Sequence, residues 1–253
     1  LFFDSDLKTF ASDFDKEVMN ILPNTLIRGL FQSERYFFEN NINEFFSLNY
    51  KTISKINSLN NTCLINIRGG EYKRFKNLIL PKNYWLDAMK NMLSFKKNLK
   101  FYIITDDYKY ASRLFPELEI IKGDVKQDFA NLYSAKYLIV SNSSFSYFPI
   151  SLGRKPDFII APANWSRFGN RQNRWLSPAN YYKNWNYQDQ NGEILKTKIT
   201  DDNVEKTRQY YLTYNVLTTE KALSKKRFIK FIPKKLKKII KELLSNLFPL
   251  YFG

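Results

Sequence analysis

The amino-acid sequence predicts an α/β protein with a Rossmann-like parallel sheet, a mainly helical N-terminal part and a basic amphipathic C-terminal helix. Three observations support this fold class. Between residues 63 and 161, short apolar runs alternate with longer amphipathic ones, which is the sequence pattern of βαβ units. Residues 6–55 have a mainly helical pattern, and residues 233–247 place apolar side chains at helical spacing opposite lysines. We therefore expect three parts, at residues 1–60, 61–200 and 201–253.

The alternating region divides into strands and helices in chain order. The predicted strands are Cys63–Ile67, Phe101–Ile104, Glu119–Ile121, Tyr137–Val140 and Phe158–Ile160. The predicted helices are Pro81–Leu93, Tyr108–Phe115, Asp128–Ser134 and a helix that follows Ser144 and ends at Leu152. Residues 162–200 are rich in Trp, Asn, Tyr and Pro and have little periodicity, so we predict an irregular cap there.

Composition excludes several kinds of chemistry. A chain of 253 residues with 44% hydrophobic content is typical of a folded globular protein. The single cysteine, Cys63, excludes an intramolecular disulfide, and the absence of histidine excludes a Cys/His zinc site and a Ser-His or Cys-His nucleophile pair. Acid–base chemistry must therefore use carboxylates, Tyr or Lys.

We recognise no targeting signal in the sequence near the start of the chain. No apolar run approaches the roughly 20 residues that span a bilayer, and the start lacks the basic region of a signal peptide. We therefore expect a cytoplasmic protein. The chain begins without Met and enters at the strand-like residues Leu1–Phe3, which is consistent with the removal of a preceding segment.

The net charge of +16 is concentrated in the C-terminal tail. Residues 221–244 contain ten basic residues and one acid and so carry +9 of it. A basic amphipathic helix of this kind favours docking to an anionic membrane surface through residues 221–253, although a core-packed helix with a lysine-rich solvent face has the same pattern. The abundance of Tyr, Phe and Trp raises nucleic-acid binding as an alternative, but the concentration of charge in the tail counts against it.

Three strand ends carry residues suited to binding a phosphorylated ligand, and the carboxyl ends of parallel strands are where such ligands bind. The first strand is followed by Arg68 and the glycines Gly69 and Gly70, which let a backbone approach a ligand closely. Asp106 and Asp107 follow the second strand and could accept bonds from a base or from sugar hydroxyls. After the fourth strand, a helix start offers free N–H groups and hydroxyls to an anion; its residues are Asn142, Ser143, Ser144, Phe145 and Ser146.

Each of these segments also has a purely structural interpretation. Arg-Gly-Gly after a strand is often only a turn. Asp106 and Asp107 could cap the helix that begins near Tyr108, and a serine-rich helix start is most often an N-cap. Their common position at one edge of a single predicted sheet favours a binding site.

Four blocks, in order, resemble a known family. Gly29–Phe37, Asn66–Tyr72, Phe101–Asp107 and Asn142–Phe148, followed by Ala161–Pro162 and Trp165, are similar to the conserved blocks of the α-1,2-fucosyltransferases of glycosyltransferase family 11. The resemblance covers about residues 20–170. It implies a GT-B-like fold, a nucleotide-sugar donor (GDP-fucose in the family), and inverting transfer to a glycan acceptor without an obligatory metal or cofactor.

The resemblance also implies roles for individual residues. Arg68 would hold the β-phosphate, Ser143 and Ser144 the rest of the diphosphate, and Asp106 or Asp107 the guanine. Asn66 stands where the family has His, and Glu71 stands where the family has Asp. Glu71 is our candidate for the base that takes the acceptor proton, although a carboxylate in such a loop is more often structural. The weak candidates for lining an acceptor sugar site are Gln32, Ser33, Trp165, Trp175 and Trp185.

The chain departs from the family at four places. Asn66, Gly69 and Glu71 replace His, Arg and Asp, and Tyr147-Phe148 replaces a pair of Trp. These changes put the donor sugar in doubt and leave a catalytically inactive glycan- or nucleotide-binding relative as an alternative. The main prediction is a glycosyltransferase of surface polysaccharide or lipopolysaccharide synthesis, peripheral at the inner face of the cytoplasmic membrane.

Overall fold

The computed structural model describes residues 2–4, 14, 16–28, 33–36, 61–74, 78–153, 155–163 and 180–214. The chain divides into two compact units, Leu1–Tyr211 and Leu212–Gly253. The tail 221–253, with its predicted amphipathic helix, lies outside the described residues. In the part of the chain that is described, no helix is long and apolar enough to cross a membrane.

The centre of the first unit is a parallel sheet of six strands. Two short strands near the N-terminus, β1 (Phe2–Asp4) and β2 (Leu26–Arg28), pair in parallel and form a separate sheet. The strands of the main sheet are β3 (Thr62–Ile67), β4 (Lys100–Thr105), β5 (Glu119–Ile120), β6 (Tyr137–Val140), β7 (Phe158–Pro162) and β8 (Asn186–Gln188). Their spatial order is β5-β4-β3-β6-β7-β8. Counted from β3, this is the 3-2-1-4-5-6 order of the doubly wound Rossmann fold, so the predicted α/β, Rossmann-like class is confirmed.

Five α-helices are described. They are α1 (Lys82–Phe95), α2 (Tyr108–Leu114), α3 (Val125–Ser134), α4 (Ser144–Leu152) and α5 (Thr197–Tyr214). The helices α2, α3 and α4 begin at side-chain caps, in which Asp107, Asp124 and Ser143 accept a hydrogen bond from a backbone N–H of the first turn. Such caps satisfy N–H groups that have no partner within the helix.

Two hydrophobic clusters cover the two faces of the sheet. Successive residues of β3 point to opposite faces. Accordingly, Cys63, Ile65 and Ile67 pack with α1 and α2, while Leu64 packs with α3 and α4. All six residues of β3 are buried, which explains why the strand is a continuous apolar run in the sequence.

Two predictions about the elements are wrong in detail, and a third is tested only in part. In the described part of residues 6–55, the chain forms β2 and the 3-10 turns Lys16–Asn20 and Glu34–Tyr36, but most of that range lies outside the described residues. Residues 162–200 are not uniformly irregular, because β8 adds a sixth strand beside β7 and α5 begins at Thr197. Helix α3 begins at Val125 rather than near Asp128, because Asp124 and Gln127 form a reciprocal capping box one turn earlier.

Candidate functional site

The sheet reverses its winding between β3 and β6, and this reversal positions the candidate site. Helices α1 and α2, which follow β3 and β4, cover one face, whereas α3 and α4, which follow β5 and β6, cover the other. A crevice therefore opens at the carboxyl ends of β3 and β6, where ligands of doubly wound sheets bind. The register pairs Asn66 with Val140 and Ile67 with Thr105. Arg68 and Asp106 consequently follow directly from neighbouring strand ends, and Asn142 follows the third strand end after one intervening residue, as predicted.

Arg68 is held at this edge by carboxylates. Its Nη1 lies 3.2 Å from Asp106 Oδ2, and its Nη2 lies 3.8 Å from Glu71 Oε1. The guanidinium lies 5.7 Å from the ring centroid of Tyr72, within the range of a cation–π contact. The Nε atom is buried and has no hydrogen-bond partner among the described residues. Buried donors are nearly always paired in folded proteins, so an unpaired one at this edge is unusual.

The two glycines after Arg68 leave space that other side chains of the protein fill. Gly69 N donates to Asp106 Oδ1 at 2.8 Å. A Cβ at Gly69 would lie 2.7 Å from Asp107 Cβ, and a Cβ at Gly70 would overlap the Asp106 carboxylate. Gly70 also has a φ of +21°, which L side chains rarely adopt. The sequence predicts that a ligand takes this space; in the structure Asp106 and Asp107 take it.

Asp107 is a helix cap and an ion-pair partner. Its Oδ1 accepts from Tyr110 N at 3.1 Å, and its Oδ2 pairs with Lys73 Nζ. Burial raises the pKa of Asp107, but the hydrogen bonds from Lys73 and Tyr110 and the nearby positive charges outweigh burial and hold the pKa below its ordinary value. The capping interpretation is therefore confirmed for Asp107. Recognition of a base by Asp106 or Asp107 stays a prediction.

The serine segment after β6 is largely internal. Ser143 Oγ caps α4 by accepting from Phe145 N at 3.3 Å, and Ser144 is exposed. Ser146 is fully buried and donates to Asn66 Oδ1 at 2.6 Å. Asn66 itself is 5% exposed. Of the predicted donor-binding residues, Asn66 and Ser146 thus support the site from inside, whereas Ser144 presents its side chain to solvent at the helix start.

Asn142 joins three segments of the crevice. Its Nδ2 donates to the carbonyl of Leu78 at 3.0 Å, and its backbone carbonyl accepts from Tyr72 Oη at 3.2 Å. Its Oδ1 is buried without a hydrogen-bond partner among the described residues. The turn after β3 and the start of α4 are therefore connected through Tyr72 and Asn142.

One functional candidate, Asp128, was not recognised from the sequence. It lies in the first turn of α3, at the same edge of the sheet, and its Oδ1 is buried without a hydrogen-bond partner among the described residues. Burial first, and then the charges of Asp124 and Asp106, raise the pKa of Asp128 to about 6. A carboxylate with a pKa near neutrality is suited to proton transfer. The sequence signal was its place in the first turn of the helix that follows β5.

The two predicted acceptor residues that the structure describes, Ser33 and Trp185, do not lie at this edge. Ser33 lines a cavity at the opposite, amino-terminal edge of β7 and β8, together with Trp185. Gln32, Trp165 and Trp175 lie outside the described residues. In the described ranges, no group of three or more Cys, Asp or Glu side chains could hold a metal ion.

One curated protein is similar to this chain. Over 158 residues the chain is 28% identical to the α-1,2-colitosyltransferase of Escherichia coli, and the match covers 54% of this chain and 54% of that protein. The chain therefore spans about half the length of the curated relative it matches. No protein-family model and no solved structure matches the chain significantly.

Proposed function

We propose that this chain is a glycosyltransferase, or part of one, that binds a nucleotide sugar at the crevice between β3 and β6 and transfers the sugar to a glycan. The observation that carries the proposal is the position of Arg68 and the start of α4 on the two sides of the reversal point of a doubly wound sheet. The similarity to a colitosyltransferase over 158 residues supports it.

The crevice offers two means of stabilising a diphosphate leaving group. Arg68 can present its planar guanidinium to phosphate oxygens, and the start of α4 offers backbone N–H groups and the Ser144 hydroxyl. Stabilising developing negative charge in this way contributes several kcal/mol to catalysis in enzymes. Since Asp106 lies 3.2 Å from Arg68 in the structure, a bound phosphate would share the guanidinium with that carboxylate.

Transfer with inversion requires a base. The acceptor oxygen forms a bond to the anomeric carbon as the bond from that carbon to the diphosphate oxygen breaks, and the acceptor proton passes to a carboxylate. Glu71, whose side chain is 66% exposed, and Asp128, whose pKa is raised to about 6, are the two candidates at this edge. The GT-B-like architecture, the guanine base and the inverting course are implied by the resemblance to family 11.

A donor screen tests this function. The chain is incubated with GDP-fucose, GDP-colitose, GDP-mannose and UDP-glucose, and free nucleotide is measured with and without glycan acceptors. We expect release from one GDP-6-deoxy sugar, because the resemblance implies fucose and the relative's name indicates colitose. Nucleotide binding without release or transfer would favour the catalytically inactive relative. Release only from the uridine donor would contradict guanine recognition.

The proposed membrane association depends on the basic tail, 221–253. We propose that it docks to anionic lipid beside a membrane-bound acceptor, because its charge and apolar spacing suit the headgroup region. Pelleting with vesicles that contain phosphatidylglycerol, with and without residues 221–253, tests this. Equal recovery of both forms would contradict docking.

A further inference from the structure

A cavity of about 1170 Å³ lies at the amino-terminal edge of β7 and β8. Four parts of the first unit line it: the 3-10 turn Glu34–Tyr36 with Ser33 before it, the end of α4, the segments that lead into β7 and β8, and one face of α5. Its volume is slightly above the roughly 300–1,000 Å³ that is typical of pockets for small organic ligands.

This cavity is separate from the candidate nucleotide site. Phe158, the first residue of β7, lines it, whereas Pro162 ends that strand at the opposite edge of the sheet. Four steps at about 3.3 Å per residue place the two edges roughly 13 Å apart. A donor sugar held between β3 and β6 therefore does not occupy the cavity.

Aromatic rings with fixed orientations form one wall. Trp185 stacks on Tyr182 with ring centroids 5.0 Å apart and an interplanar angle of 26°, and it meets Tyr147 in an edge contact at 4.7 Å. Tyr182 and Tyr147 are buried, but Trp185 is only half-buried. The packing beneath it thus orients an indole that lines the cavity. A rigid, partly exposed aromatic side chain offers a flat apolar surface at low entropic cost, which suits the C–H faces of a sugar ring.

The polar lining is close to electrically neutral. Among the described lining residues there are five acids (Glu34, Asp157, Asp201, Asp202 and Glu205) and four bases (Arg35, Lys155, Lys183 and Arg208). In a chain of net charge +16, these described lining residues do not concentrate positive charge as an anion or nucleic-acid site does. Carboxylates accept hydrogen bonds, while amides and lysines donate them, so the lining can match hydroxyl groups that do both.

We propose that this cavity is a second carbohydrate site, which binds neutral sugars of the acceptor glycan remote from the hydroxyl that reacts. The proposal rests on the proposed function, since it takes its ligand to be the glycan on which the enzyme acts. It assigns Trp185 as the stacking residue. It also places Ser33, one of the acceptor residues predicted from the sequence, in a site other than the donor crevice.

The experiment blocks the cavity and measures binding to a glycan array. The array carries neutral oligosaccharides of two to eight sugars prepared from bacterial surface polysaccharides. Ser151 and Asn184 are exposed residues of the lining, so Ser151→Trp and Asn184→Trp each fill the cavity from a different side. Ser94→Trp introduces the same side chain at an exposed serine of α1 outside the lining and is the matched control.

We expect both cavity variants to lose affinity for the bound glycans by about tenfold or more, with the control unchanged. Melting temperatures show which variants are folded. Hydrogen exchange on the unsubstituted chain provides a second measurement, in which the bound glycan should protect residues 181–186 and 201–208. Equal glycan binding by a folded cavity variant and the unsubstituted chain would overturn the proposal, as would protection confined to the donor crevice.

Binding of GDP to the unsubstituted chain is measured in parallel. GDP binding without binding of any array glycan would overturn the carbohydrate site and leave the proposed donor site standing. Glycan binding that the cavity variants lose, without GDP binding, would overturn the proposed donor and support the cavity as a carbohydrate site.

Discussion

Replacement of Asp128 by Asn should stabilise the folded protein near neutral pH. Burial and the charges of Asp124 and Asp106 raise the pKa of Asp128 from 3.8 to about 6, so the folded state retains a proton that the unfolded chain releases between roughly pH 4 and pH 6. Stability is therefore lost as the pH rises through that window, and the penalty is fully present above it. A shift of about two units corresponds to about 3 kcal/mol, which we reduce to about 1.5 kcal/mol for a half-exposed group screened by solvent.

Asparagine has a similar shape and no charge, so Asp128→Asn should recover about 1.5 kcal/mol at pH 7 and little at pH 4. For a chain of this size that is about 3–6 °C in melting temperature. Thermal and urea unfolding at pH 4, 5, 6 and 7 measure it, with Glu117→Gln as a control that removes one exposed carboxylate outside the site. A variant that is equally or less stable than the unsubstituted chain at every pH would refute the placement of Asp128 among like charges.

Three further predictions concern the same edge of the sheet. Gly70→Ala should cost about 1–3 kcal/mol of stability, because φ is +21° and the new Cβ would overlap the Asp106 carboxylate. Gly123→Ala should cost less in the same unfolding assay, because Gly123 has no positive φ and its new Cβ would lie 3.0 Å from the Gln127 side chain. Ser143→Ala should cost about 1 kcal/mol of stability by removing the cap of α4, and it should weaken nucleotide binding measured by calorimetry. Ser143→Asp also caps the helix, so it should restore stability. Its negative charge should not restore affinity for an anion. Glu71→Gln and Asp128→Asn test which carboxylate is the base. The variant that removes the base should lower the transfer rate by about 10²–10⁴-fold, with the acceptor KM little changed. Equal small losses in both variants would mean that neither carboxylate takes the proton.

The strands of the sheet could be predicted from the sequence where burial on both faces makes the run of apolar residues continuous. β3, β4, β6 and β7 were placed within two residues of their ends because their residues pack between two layers of helices. β8 was missed because it has only three residues and is fixed by pairing with β7 and by Gln188, which donates to the carbonyl of Tyr84 at 3.0 Å. A strand that depends on partners 26 and 104 positions away has no local signal.

The start of α3 shows a limit of a different kind. Val125 is 72% exposed, so the first turn has no apolar stripe, and only the capping pair Asp124 and Gln127 marks it. Asp124 followed three residues later by Gln is the sequence signature of a capping box and was available from the sequence. Recognising it would also have placed Asp128 at the carboxyl edge.

The chemistry of the candidate site could be predicted only in part from the sequence. The strand ends of β3, β4 and β6 follow from the alternation, so the approach of Arg68, Asp106 and Asn142 was predictable from topology. The pairing of Arg68 with Asp106 was not, because it depends on the register of β3 with β4. The burial of Asn66 beneath Ser146 depends likewise on a contact between residues 80 positions apart.

Calorimetry with GDP tests the central claim, that Arg68 and the start of α4 bind the diphosphate of a nucleotide donor. The unsubstituted chain should bind GDP, and Arg68→Ala should lose on the order of 1.5–3 kcal/mol, about 10- to 100-fold in affinity. Arg113→Ala, which removes an exposed arginine in the last turn of α2, should bind GDP as the unsubstituted chain does. GDP binding that is undiminished in a folded Arg68→Ala variant would contradict the account.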